Sequence, residues 1–179
     1  LATDPDCDRV SMMCKRRDGE YQAFNGNQIG ALLIHYILGG LDEKGEIPSN
    51  GAIVKSIVTG ELGTVIAKEY DVPMFETLTG FKNICALPNE WDETGEYKFI
   101  FGYEESIGYT YGDFVRDKDA VVSSMMIVEM AAYYKEQDKT LAEVLEEIYE
   151  TYGYYDEKLI SLVLEGIEGQ ERIGRMMDD

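Results

Sequence analysis

The chain has 179 residues, 45% of them apolar and 28% charged. That is enough for a core and a wetted surface, and it excludes wholesale disorder and a collagen-like chain. Lys and Arg total 16 against 35 Asp and Glu, a formal net charge of −19. Such a surface repels phosphate backbones and anionic lipid, so neither a nucleic acid nor a membrane is an expected partner.

No apolar run approaches the roughly 20 residues that span a bilayer, and the opening Leu1-Ala2-Thr3-Asp4-Pro5-Asp6 lacks the segments of a signal peptide. Val10 to Lys15 is a short run of strand type. Asn25 is placed to cap a helix carrying Ile29, Leu32, Leu33, Tyr36 and Ile37 on one face and ending at Gly39-Gly40. Leu41 to Gly51 reads as a polar loop, and Ala52 to Val58 as a buried, β-branched strand. Glu61 to Tyr70 returns to helical spacing, Val72 to Leu78 to strand, and Gly80 to Ala86 to a short helix. Asn89 to Glu96 is turn-rich, Tyr97 to Phe101 a strand, and Glu104 to Lys118 a loop. Asp119 to Gln137 is a long apolar helix, with Met125-Met126 and Tyr133-Tyr134 as packing residues. Thr140 and Glu143 form a capping box for a last full helix with Leu141, Val144, Leu145, Ile148 and Tyr152 on one stripe. Glu157 to Glu165 alternates as a strand, and Ile167 to Met177 begins another helix. His35, the only histidine, lies off its helix's apolar stripe and is expected in solvent. Strands separated by helices predict an α/β fold with a mixed, largely parallel sheet covered by helices.

Four segments carry chemistry. In Asp4-Pro5-Asp6-Cys7-Asp8-Arg9, carboxylates at alternate positions can converge on a hard divalent cation. The sixth and twelfth positions of a calcium loop hold Arg9 and Lys15 instead of Gly and Glu, so Mg²⁺ is the better fit and a solvated acidic turn the equal alternative. Gly102-Tyr103-Glu104-Glu105-Ser106-Ile107-Gly108 follows a strand, where open α/β sheets bind ligands. Its carboxylates and hydroxyl suit vicinal sugar hydroxyls, and an ordinary polar turn is the equal alternative. Neighbouring carboxylates on an extended chain point apart, so Glu104 and Glu105 are not expected to be a matched acid–base pair. Thr79-Gly80-Phe81-Lys82 marks a helix start with a cation beside it, and Arg116-Asp117-Lys118-Asp119 precedes the long helix. Helix capping and surface ion pairing are the plainer readings of these two. Cys7, Cys14 and Cys85 show no CxxC spacing and read as free thiols of a reducing, cytoplasmic compartment.

In this order and spacing, the segments resemble the α-D-phosphohexomutase superfamily, most closely its phosphoglucomutase/phosphomannomutase and phosphopentomutase-like branch. The resemblance implies a three-layer α/β/α third domain over residues 23–153. Residues 1–22 would be the tail of the second domain, and 154–179 the connection toward a fourth. By that match Asp4, Asp6 and Asp8 bind Mg²⁺, Arg9 sits beside an active-site phosphoserine, and Glu104 and Ser106 hold sugar hydroxyls. Lys82 becomes a substrate contact and possible proton-transfer group, with Lys55, Arg116 and Lys118 near the cleft. Cys7 and Tyr103 stand where the family often has Gly. The implied reaction moves phosphate between two hydroxyls of a hexose or pentose phosphate through a phosphoserine and a bisphosphosugar. No stretch like the phosphoserine loop or the phosphate-gripping loop of the fourth domain is present. The two ends therefore read as cuts through a longer protein, loosely packed, and the segment is expected to be inactive without its remaining domains. A stand-alone sugar-phosphate and metal module, a Mg²⁺-dependent phosphatase with an Asp nucleophile, and an interaction scaffold are the competing readings.

Overall fold

The computed structural model describes residues 1–158 and 160–178. Four strands form the central sheet in the order β6-β5-β7-β8: β5 (Gly51–Ser56), β6 (Met74–Thr77), β7 (Lys98–Glu104) and β8 (Gly108–Tyr111). β5 is parallel to both β6 and β7, and β8 returns antiparallel from β7. The expected mixed, largely parallel sheet is present.

All six residues of β5 are buried, because helices cover both faces. Alternation sorts its side chains: Ile53 joins the larger core with α1 (Gly26–Lys44), α2 (Leu62–Glu69), α4 (Ala120–Glu136) and α5 (Leu141–Tyr152). Ala52 and Val54 face the smaller core under α3 (Phe81–Thr94), with Phe81, Ile84, Trp91 and Phe99. Both expected capping residues act. Asn25 accepts from Gln28 N and Thr140 from Glu143 N, each inside a full capping box.

Several elements differ from expectation. α1 passes through Gly39-Gly40 and stops at Gly45, which takes the left-handed conformation at φ 67°. Leu41 still packs on the core, and that burial carries the helix past the glycine pair. α3 continues through Pro88 because Trp91, one turn on, packs on Phe75 and Tyr97. The expected loop after Glu104 contains β8, whose Tyr109 is buried and stacks on Phe101. Val10 to Lys15 is two short strands: β2 (Val10–Ser11) pairs with β1 (Ala2–Thr3), and β3 (Met13–Lys15) with β4 (Tyr21–Ala23).

The strand expected over Glu157 to Glu165 is absent among the described residues, and its Leu159 lies outside them. Ile160 and Leu162 stand in solvent, and this segment pairs with no strand among the described residues. α6 (Gly166–Met177) forms as expected. Each apolar pair on α4 splits, with Met126 and Tyr134 buried and Met125 and Tyr133 facing out, since adjacent helical residues cannot share a face. His35 is not in solvent. It lies edge-on to Tyr152, its Nδ1 lacks a partner, and burial lowers its pKa.

Val10 and Met12 are covered and cluster with Phe24 in the larger core.

Candidate functional site

The site lies where the loops after β5, β6 and β7 meet the N-terminal acidic turn, at the carboxyl ends of the parallel strands. The turn is closed by Cys7 N donating to Asp4 O at 3.1 Å and by Asp4 N donating to Arg9 O at 3.3 Å. Cys7 has φ 56°, the left-handed region. That conformation favours glycine, and Cys7 adopts it at some cost. The turn brings one carboxylate oxygen each of Asp4, Asp6 and Asp8 to within 4.8 Å of one another.

The acidic turn is partly neutralised from within the chain. Arg9 donates its backbone N–H to Asp4 Oδ1 at 3.1 Å and its Nε to Asp4 Oδ2 at 2.7 Å. These bonds, the backbone one first, hold the Asp4 carboxyl far below the usual range. The same Nε is 3.6 Å from Asp8 Oδ1. Lys118 Nζ lies 2.6 Å from Asp8 Oδ2, which raises the lysine's pKa. Asp8 Oδ1 is left buried with no hydrogen-bond partner. Hard oxygen donors converging on one point, with an orphaned buried oxygen among them, fit a divalent cation such as Mg²⁺.

This turn is docked on the β7–β8 hairpin. Val10 N donates to Ile107 O, Ala120 N donates to Cys7 O, and Arg9 bridges to Gly108. The Lys118 stem lies across Gly108, where a Cβ would overlap it. Gly108 is the ladder partner of Glu104. Lys118 and Gly108 therefore join the acidic triad to the hairpin that carries Glu104 and Ser106.

Glu104 is buried, its Oε1 accepting from Gly80 N at 2.8 Å and its Oε2 contacting Ser106 Oγ at 3.5 Å. Ser106 itself is exposed. Glu105 turns the other way, toward Ser56 Oγ at 3.2 Å and Thr59 Oγ1 at 3.1 Å. The two carboxylates point apart, as neighbours on an extended chain must. Ser56 and Thr59 escaped the sequence reading, one inside the expected strand and the other just past its end.

Lys82 is exposed on the first turn of α3 and makes no ion pair or hydrogen bond among the described residues. Arg116 pairs through Nη2 with Asp92, while its Nη1 is buried without a partner. Lys55 is committed inside the protein. Its ammonium is fully buried and its three donors go to Thr59 O, Glu61 and Glu76 at 2.9, 2.7 and 2.9 Å. A cation on a central buried strand must be paired, and this one is saturated. Tyr103 keeps an ordinary strand backbone and lies buried against Gly30 and Gly63, where a Cβ would overlap its side chain.

The sequence pattern of the phosphoglucomutase/phosphomannomutase alpha/beta/alpha domain III matches residues 25–152. A phosphoglucomutase of Staphylococcus haemolyticus is 42% identical over 178 residues, covering 99% of this chain and 31% of the relative. A Staphylococcus aureus phosphoglucomutase is 38% identical over 177 residues, again 99% of this chain and 31% of the relative. The chain thus spans about a third of the length of these relatives. A Thermus thermophilus protein described as a phosphomannomutase superposes with TM-score 0.62 at 26% identity, over 85% of this chain and 30% of that one. Aspergillus fumigatus N-acetylphosphoglucosamine mutase, solved with GlcNAc-6P and magnesium, shares the fold with TM-score 0.57 at 17% identity, over 84% and 32%.

Fold and site together define a domain of the α-D-phosphohexomutase superfamily. Within it, the chain belongs to the phosphoglucomutase/phosphomannomutase family and carries that family's domain III. No helix among the described residues is long and apolar enough to cross a membrane.

Proposed function

We propose that this chain is the metal-binding and sugar-recognition part of a phosphosugar mutase that moves phosphate between the C1 and C6 (or C5) hydroxyls of a sugar phosphate. The observation that carries the reading is the joining of the acidic triad to the Glu104–Ser106 hairpin through Lys118 and Gly108. Asp4, Asp6 and Asp8 would hold Mg²⁺. When bound, the ion neutralises charge on a transferring phosphoryl group.

The chain's own residues do the rest of the positioning. Glu104 accepts from vicinal sugar hydroxyls and Ser106 donates to or accepts from them, so either orientation of the sugar is held. Opposed to a net charge of −19, the local cations Arg9, Lys82, Arg116 and Lys118 make the cleft tolerable to an anionic substrate. Lys82 is the least committed of these, and its exposed ammonium is suited to a substrate oxygen and to carrying a proton. Arg9 faces the phosphate-bearing serine that another segment of the enzyme contributes. Sugar phosphate and free thiols suit the cytoplasm.

The test is a coupled assay with Mg²⁺ on glucose 1-phosphate, mannose 1-phosphate and ribose 1-phosphate. It uses a full-length protein containing this segment, with Glu104→Ala beside it. Turnover on one sugar that collapses in the variant supports the reading. Turnover by residues 1–179 alone would contradict it.

A further inference from the structure

We infer that Glu105 is a positioning residue for the sugar hairpin, anchoring a strained loop so that Glu104 and Ser106 face the substrate. The inference deepens the mutase reading and rests on it. Glu104 and Gly108 are ladder partners, so Glu105, Ser106 and Ile107 make up the whole turn. Such a turn needs a left-handed residue before its second strand, a place that favours glycine. Here it is Ile107, at φ 59°. A β-branched residue in that region is an outlier held only by its surroundings.

The surroundings are specific. Glu105 Oε2 receives Ser56 Oγ and Thr59 Oγ1 at 3.2 and 3.1 Å, and Glu105 N donates back to Thr59 Oγ1 at 3.2 Å. The two hydroxyls touch each other at 2.7 Å. Ser56 and Thr59 are themselves buried at the end of β5, the most covered strand. On the backbone side, Gly26 abuts the Glu105 carbonyl so closely that a Cβ there would overlap it. At the far end, Val10 N fixes Ile107 O. The loop is clamped at both ends, and the clamp at its start is the Glu105 carboxylate. Glu105 therefore acts on the sugar through Glu104 and Ser106, its Oε2 being committed to the β5 end.

Kinetics of the full-length enzyme with Mg²⁺ and its preferred sugar 1-phosphate test the assignment. Glu105→Ala is expected to raise KM on the order of tenfold with kcat within about twofold, since misplaced binding groups weaken ground and transition states alike. Glu105→Gln keeps an acceptor for both hydroxyls and is expected within about threefold of wild type. Adding Ile107→Gly to Glu105→Ala removes the strain and is expected to recover most of the KM loss. An unchanged KM in Glu105→Ala overturns the role. So does a Glu105→Gln as impaired as Glu105→Ala, which would mean that the charge acts on the sugar directly. A wild-type enzyme inactive on every sugar phosphate, with Glu104→Ala no different, overturns the mutase reading and the positioning role with it.

Discussion

Arg9 folds back on Asp4: its backbone N–H and its Nε reach the two oxygens of the same carboxylate, at 3.1 and 2.7 Å. The guanidinium thus occupies one of the three carboxylates of the acidic turn and lies 3.6 Å from a second, on Asp8.

A divalent ion must compete with that guanidinium. Arg9→Gln is expected to tighten Mn²⁺ or Mg²⁺ binding about three- to tenfold, the range of a partly exposed ion pair. Asp6→Asn is expected to weaken it. Isothermal titration reads both, and an Arg9→Gln affinity equal to or below wild type contradicts the competition.

Cys7 holds a left-handed conformation at φ 56°. Relieving that strain outweighs the extra freedom glycine gives the unfolded chain, so Cys7→Gly is expected to stabilise by about 0.5 kcal/mol. Thermal melts without metal check the sign, with a rise of about 1–2 °C expected.

The Tyr103 ring fits only because α1 and α2 present Gly30 and Gly63 to it. Gly63→Ala is expected to destabilise by about 2 kcal/mol through overpacking. Tyr103→Phe removes the hydroxyl that a new Cβ would strike, so the double variant should recover part of the loss. Additive losses in urea melts would sink this account.

Glu143 accepts from the Thr140 backbone and from Arg17, which lowers its pKa from 4.5 to about 2. A carboxyl depressed on folding stabilises above its unfolded value and loses that contribution as pH falls through the folded one. Glu143→Gln is therefore expected to destabilise at pH 7 and to approach wild-type stability near pH 2, the two converging as pH falls from 4.5 to about 2. Denaturant melts across that range test it.

The sequence displayed whatever rests on local chemistry. The Asn25 and Thr140 caps, the β-branched run of β5 and the Asp-x-Asp-x-Asp spacing each act through neighbours a few residues away. Features set by distant partners were hidden. Pro88 and the glycine pair of α1 look like helix breakers, yet burial of Trp91 and Leu41 carries both helices through. β8 pairs along β7, whereas the equally strand-like Glu157 to Glu165 pairs with no strand among the described residues. The pairing of Lys55 was hidden too, because sequence does not reveal that Glu61 and Glu76 close over it.

The exposed apolar side chains of Ile160, Leu162 and Val163, followed by Ile167 on α6, have a colloidal consequence. At neutral pH, mutual repulsion between molecules of charge −19 keeps these sticky segments from meeting. Titrating the carboxylates toward the isoelectric point of about 4.3 removes that repulsion while the apolar strip stays in place. Self-association near that pH, detected by light scattering and suppressed by Ile160→Ser with Leu162→Ser, is the expected behaviour. Concentrated stocks are best kept well above it.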